Sequence, residues 1–163
     1  MPRIYRVPYT GTLANSTGDS DLLIIQPADD KPCRLAGWIM GQSTETGDSA
    51  EENLRITVRH MTATLTVTGG TGVTPVANRA GTTDVAAAGF TATCNATTVT
   101  TTSGTSVIAE EQAWNIRSSP WERFIPEEFR PIAIQGEGIL VRMESTPADD
   151  ITGELTFLVE EFP

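Results

Sequence analysis

The chain is short of the residues on which most enzyme centres are built. It has one histidine, His60, and two cysteines, Cys33 and Cys94, in 163 residues. A metal-dependent jelly-roll enzyme needs at least two histidines and a carboxylate converging on one ion, and His60 beside Arg59 does not supply that set. There is no Gly-x-Ser-x-Gly elbow to present a serine nucleophile, and neither cysteine has a plausible base partner. The two cysteines lie far apart in different surroundings, so reduced, partly buried thiols are expected in preference to a disulfide. Lysine is nearly absent: of eleven basic residues only Lys31 is a lysine, against a net charge of −10. Nucleic-acid binding needs clustered cations to displace counterions, so no nucleic-acid partner is expected. Long apolar runs are missing too. The longest, near Leu22 to Ile25, is far below the roughly 20 residues of a membrane helix, so no membrane partner is expected. Met1 to Pro8 carries Arg3 and Arg6 and no apolar core, which argues against a secretory signal and leaves the glycosylation patterns at Asn15 and Asn95 little weight.

What is present points to β-structure. Only 39% of the residues are hydrophobic, while Thr and Gly are abundant, a balance that suits a thin two-layer sandwich with long loops. Leu54, Ile56 and Val58 alternate with Arg55, Thr57 and Arg59, the period of a half-buried strand. Leu155, Phe157 and Val159 alternate in the same way within Ile151 to Glu160. Leu22 to Gln26, Cys33 to Met40 and Ile139 to Met143 read as further strands. So do parts of the Thr/Ala/Gly tract from Thr62 to Ser106, which turns at Gly69-Gly70-Thr71-Gly72. Pro126-Glu127-Glu128-Phe129 has proline and acids where a single helical turn would start. The expected architecture is all-β, a jelly-roll-like antiparallel β-sandwich of eight to ten strands. Residues 1–20 are expected to form an N-terminal arm or edge strand followed by a loop, with Pro2 and Pro8 keeping it out of a central sheet position. Residues 21–163 then form a single domain.

The acidic pairs Asp29-Asp30, Glu51-Glu52, Glu110-Glu111, Glu127-Glu128 and Asp149-Asp150 could in principle serve a glycosidase. They read more simply as solvated loops, and they lack the ordered spacing of a dedicated calcium loop. Pro27-Ala28-Asp29-Asp30 recurs as Pro147-Ala148-Asp149-Asp150, two turns in which aspartate would cap its own backbone. Trp38 and Trp114 fall inside strands and are expected in the core. Trp121 and Phe124, in a proline-rich stretch, are candidates for an exposed anchor, because aromatics with arginine dominate interface hot spots.

Three stretches carry a family likeness. They are Gly47-Asp48-Ser49-Ala50-Glu51-Glu52-Asn53-Leu54-Arg55-Ile56, Trp114-Asn115-Ile116-Arg117-Ser118-Ser119-Pro120, and the closing Pro147-Ala148-Asp149-Asp150 with its acidic last strand. Together with the Thr/Ala/Gly centre they resemble the capsid decoration, or cement, proteins of tailed bacteriophages. The resemblance implies a non-enzymatic virion protein without catalytic residues or a cofactor. It would form a homotrimer on the outer surface of the capsid, with the major capsid protein as partner. Arg3, Tyr5, Arg6 and Tyr9 of the arm, with Glu45 and Asp48 of the Gly41–Glu52 loop, are then expected to contact the shell. Trp121, Arg123, Phe124 and Phe129 are expected at the oligomer interface. Removal of residues 1–9 is expected to abolish capsid binding without unfolding the domain. The competing expectation is a fibre- or tail-associated domain that holds glycans through Trp121.

Overall fold

The computed structural model describes residues 2–15, 20–28, 30–44, 51–78, 87–101, 103–118 and 120–163, without the side chains of Thr98 and Thr101. The strands are β1 (Arg3–Leu13), β2 (Ser20–Pro27), β3 (Cys33–Gln42), β4 (Asn53–Met61), β5 (Leu65–Thr68), β6 (Thr71–Val73) and β7 (Val76–Ala77). They continue with β8 (Phe90–Cys94), β9 (Thr98–Thr101), β10 (Ser106–Asn115), β11 (Trp121–Phe124), β12 (Ile132–Ala133), β13 (Gly138–Met143) and β14 (Ile151–Glu161). The only helical element among the described residues is a single 3-10 turn at Glu127–Phe129, where the proline and acids place it.

Two six-stranded antiparallel sheets form a sandwich. The first has the order β11-β3-β14-β1-β7, with β12 also paired to β3, and the second has the order β10-β4-β13-β2-β8-β6. The alternation in β4 and β14 sends Leu54, Ile56, Val58, Leu155, Phe157 and Val159 into the layer between the sheets, where each is buried. Tyr5 of β1 meets Phe90 of β8 edge-on at 5.5 Å and ties the two layers together. Each such large side chain contributes on the order of 1.5–3 kcal/mol by leaving water.

β2 breaks the alternation because it is covered on both faces. Leu23 and Ile25 enter the main core, whereas Ile24 joins Leu140, Met61, Leu65 and Ala96 in a second cluster. The separate two-stranded sheet β5-β9 supplies Leu65, with Val67 and Val99 packed alongside. An apolar run without period is the signature of a strand buried on both sides.

The N-terminal segment is part of this sheet and is not an arm standing outside the domain. β1 pairs with β14 from Arg3↔Glu161 to Leu13↔Ile151. Tyr5 and Val7 are buried. On its far side β1 pairs, among the described residues, only with the short β7, through Tyr5↔Ala77 and Arg6↔Val76. The edge-strand alternative therefore describes it, and Pro8, which has no N–H to offer, stands on the stretch that β7 leaves unpaired.

A candidate interaction surface

The strand register gathers a set of acidic loop residues at one end of the sandwich and the exposed large hydrophobic residues at the other, where Glu122, Glu127 and Glu128 are exposed as well. Leu13, Gln42, Asn53, Asn115, Met143 and Ile151 all lie at one end. The loops there carry Glu51, Glu52, Asp149 and Asp150, with Glu154 just inside β14. Some of these acids brace loops: Glu52 Oε1 accepts the Ala148 N–H at 2.5 Å, and Asp150 Oδ1 accepts the Asn15 N–H at 2.8 Å. Asp150 thus caps a distant segment and not its own turn, while Asp29 of the first copy lies outside the described residues.

The opposite end gathers the exposed large hydrophobic residues. Phe129, Phe124, Ile132 and Ile134 come from the β11–β12 segment, at 76%, 57%, 47% and 51% exposure, and Val107 and Ile108 come from the start of β10. β10 and β11 flank the same side of the sandwich, where Arg123 of one sheet reaches Glu110 of the other at 2.5 Å. The four β11–β12 residues form an apolar corner, whereas Val107 and Ile108 stand on the other sheet, Ile108 opposite the outward-facing Arg59. Ile4 and Val76, at 40% and 49% exposure, form a second patch on the β1–β7 edge. Apolar groups concentrated in this way mark contact surfaces, whereas scattered ones need no explanation.

Between the two patches the outer face of the first sheet is closed by an ion network. Glu160 accepts from Arg34 at 2.5 Å and from Arg130 at 2.7 Å, and Arg34 also reaches Glu127 at 2.7 Å. Arg34 lies 4.6 Å from the centre of the Phe162 ring. Burial opposes its charge, but the hydrogen bonds to Glu127 and Glu160 outweigh that and raise its pKa. The outer face of the second sheet is bound in a similar way. Asp21 takes a two-pronged contact from Arg142 at 2.6 and 3.2 Å. Glu144 accepts from Thr57 at 2.5 Å and from Arg59 at 2.7 Å. Burial works against ionisation of Glu144, yet these hydrogen bonds hold its carboxyl below the usual range.

The residues named from sequence separate into distinct environments. Tyr5 is core and carries no surface chemistry. Arg6 is exposed and donates to the neutral Asn78 Oδ1 at 2.9 and 2.5 Å, and Arg3 is exposed at the strand start. Tyr9 is half-buried, its hydroxyl accepting from Asn95 Nδ2 at 3.1 Å. Glu45 and Asp48 lie outside the described residues. Trp121 is not an exposed anchor. It meets Trp38 edge-on at 5.3 Å and stacks with Trp114 at 6.5 Å, sealing the core margin. Arg123 is engaged with Glu110, so of the four proposed interface residues Phe124 and Phe129 carry the exposed apolar area. Sequence reasoning missed Ile132 and Ile134 at the corner and Ile4 and Val76 on the β1–β7 edge, whose grouping appears only once the register is known.

Groups capable of chemistry are held in structural roles. His60 Nε2 contacts Glu137 Oε2 at 3.0 Å, and the same carboxylate oxygen accepts the Ile134 N–H. Both cysteines are free and buried, and burial pushes each thiol up to about 12, with Glu161 adding to the rise at Cys33. A surface depression between Pro8, Ile39, Pro120 and Thr156 holds Glu154 as its one carboxylate. No group of three or more His, Cys, Asp or Glu among the described residues is placed to hold a metal ion. Comparison with protein-family models, curated proteins and solved structures finds no match to this chain. The fold and surface define a β-sandwich whose exposed large hydrophobic residues gather at the end away from the Glu51, Glu52, Asp149 and Asp150 loops.

Proposed function

We propose that this protein is a virion component that binds the outside of a bacteriophage capsid as a decoration, or cement, protein. The observation that carries the reading is the set of exposed apolar side chains gathered at one end of a two-sheet body braced by ion pairs. Such a body suits adhesion spread over many weak contacts and multiplied by copy number, so that avidity replaces any single tight site. The sequence likeness to decoration proteins agrees with it, and the major capsid protein is the partner it implies. Acidic loops facing outward would keep decorated particles apart in solution. The glycan-binding alternative depended on Trp121 as an exposed platform, and that side chain is committed to the Trp38–Trp114 cluster.

The test is to add purified protein to heads that lack it and image the particles by electron cryomicroscopy. Ordered extra density at symmetry-related positions, with greater resistance of the heads to heat, is expected. Heads that remain bare at saturating protein would overturn the assignment.

A further inference from the structure

We infer that the ribbon joining β4 to β10 contains a strap that lifts from the outer face of the second sheet while both sheets stay intact. The pairing follows one ribbon along its course. It runs from Met61↔Ser106 through Leu65↔Thr101 and Thr68↔Thr98 to Thr71↔Cys94 and Val73↔Ala92. Its root, β4–β10, lies at one edge of the second sheet, and its tip, β8–β6, lies at the other. The middle segment, β5–β9, therefore passes over the two strands between them, β13 and β2. The corners that raise and lower it have backbone that favours glycine. The φ angle is +100° at Gly104 beside the root, and +71°, +83° and +52° at Gly69, Gly70 and Asn95 beside the tip.

Under the strap lies an apolar stripe made by Ile24 of β2 and Leu140 of β13, both buried. Leu65 is the one buried side chain among those described on β5 and β9. It seats on bare backbone, for a Cβ at Gly138 would stand 2.6 Å from Leu65 Cδ1. Gln26 Nε2 donates to the Leu65 carbonyl at 2.9 Å. Val67 and Val99 are half-buried, and Thr66, Thr68 and Thr100 face solvent. Among the described residues β5 and β9 pair only with each other, and a two-stranded ribbon without support is marginal. Root and tip are held more firmly. β4 and β10 pair from Asn53↔Asn115 to Met61↔Ser106. β8 pairs with β2 and sends Phe90, Ala92 and Cys94 into the main core. Asn95 pins the tip corner: its Nδ2 donates to the Tyr9 hydroxyl at 3.1 Å and to the Thr12 carbonyl at 2.8 Å, and its Oδ1 accepts from Ser20 at 2.9 Å. Opening therefore falls on the middle, where release of Leu65 frees the strap. Its cross-strand bonds then part, and Ile24 and Leu140 meet water. This part of the outer face is apolar only when the strap is up. The strap needs no capsid to act, so its test stands apart from that of decoration.

The experiment is amide hydrogen exchange on the full chain, read residue by residue by NMR in water and in low urea. It compares the wild type with Leu65→Ala in the strap and Val159→Ala in β14. Local opening exposes little surface, so exchange in β5 and β9 is expected to be nearly independent of urea and about a hundredfold or more faster than in β14. Leu65→Ala is expected to speed exchange in the strap about tenfold or more. Val159→Ala removes a contact that the strap-open form still makes. It is expected to speed exchange in β14 by about tenfold or more and to leave the strap unchanged. Strap amides as well protected as those of β14 would overturn the proposal. So would strap exchange that rises in urea as steeply as that of β14, or an equal response of both strands to Val159→Ala. Should either variant fail to fold, the urea dependence of the wild type decides alone.

Discussion

Glu144 shows how single residues hold the outer face of the second sheet. Thr57 is fully buried and donates to it, and Arg59 donates to it through Nε and a terminal nitrogen. Replacing Glu144 by Gln leaves the Arg59 charge without its counterion in a half-buried site, and should cost about 1–3 kcal/mol at neutral pH. The folded-state pKa of Glu144 is depressed, so its contribution is present above the unfolded value of roughly 4.3 and is lost as pH falls through the folded one. Urea denaturation of wild type and Glu144→Gln should therefore differ at pH 7 and converge in acid. An equal gap at both would show that the charge is not what matters. The cysteines work in the opposite sense. Their folded values of about 12 lie above the ordinary thiol value of 9.0, so the unfolded chain loses protons first and stability falls from about pH 9 towards 12. Each thiol contributes a slope of about 1.4 kcal/mol per pH unit in that window. The Cys33→Ala/Cys94→Ala protein should lose stability less steeply there. In the native wild type neither thiol should react with an aromatic disulfide reagent at pH 8, and rapid labelling would contradict their burial.

At the scale of elements, β1 is where sequence and structure part most clearly. Prolines at 2 and 8 left an arm and an edge strand both open, and the structure departs from the arm: Tyr5 and Val7 are buried and all eleven residues of the strand pair with β14. Losing both side chains forfeits roughly 3–6 kcal/mol of burial, a large share of the roughly 5–15 kcal/mol that stabilises a typical domain. Deleting residues 1–9 should therefore lower the melting temperature sharply or prevent folding. An unchanged melting curve would return the segment to the status of an arm. Where the apolar pattern had a clean period of two, as in β4 and β14, the strand and its buried face were legible from sequence. β6 and β7 were not, because three and two residues are too few to establish a period. The first half of β10 was missed for another reason: Ser106 to Ala109 are exposed on an edge, so no burial shapes their sequence. The candidate surface was half legible. Phe124 and Phe129 could be read as anchors from their proline-rich setting, but Ile4 and Ile132 share a row only through long-range pairing.

For the whole molecule the governing quantity is a net charge of −10 on a small body. Two such bodies about 40 Å apart repel by about 10 kcal/mol in unscreened water. Roughly a quarter of that survives where the Debye length is ~30 Å, at ~0.01 M salt, and almost none where it is ~8 Å, at ~0.15 M. Against this, exposed ion pairs across any contact between copies would be worth about 0.2–1 kcal/mol each and would themselves be weakened by salt. Apolar contact through exposed side chains such as Phe124 and Phe129 would be insensitive to ionic strength over this range. Long-range repulsion therefore outweighs the local attraction, and self-association should tighten on the order of tenfold to a hundredfold between ~0.01 M and ~0.15 M salt. Sedimentation equilibrium at the two salt concentrations measures this directly. Weaker association in the higher salt would mean that ion pairs hold the copies together and that exposed apolar side chains are not what joins them.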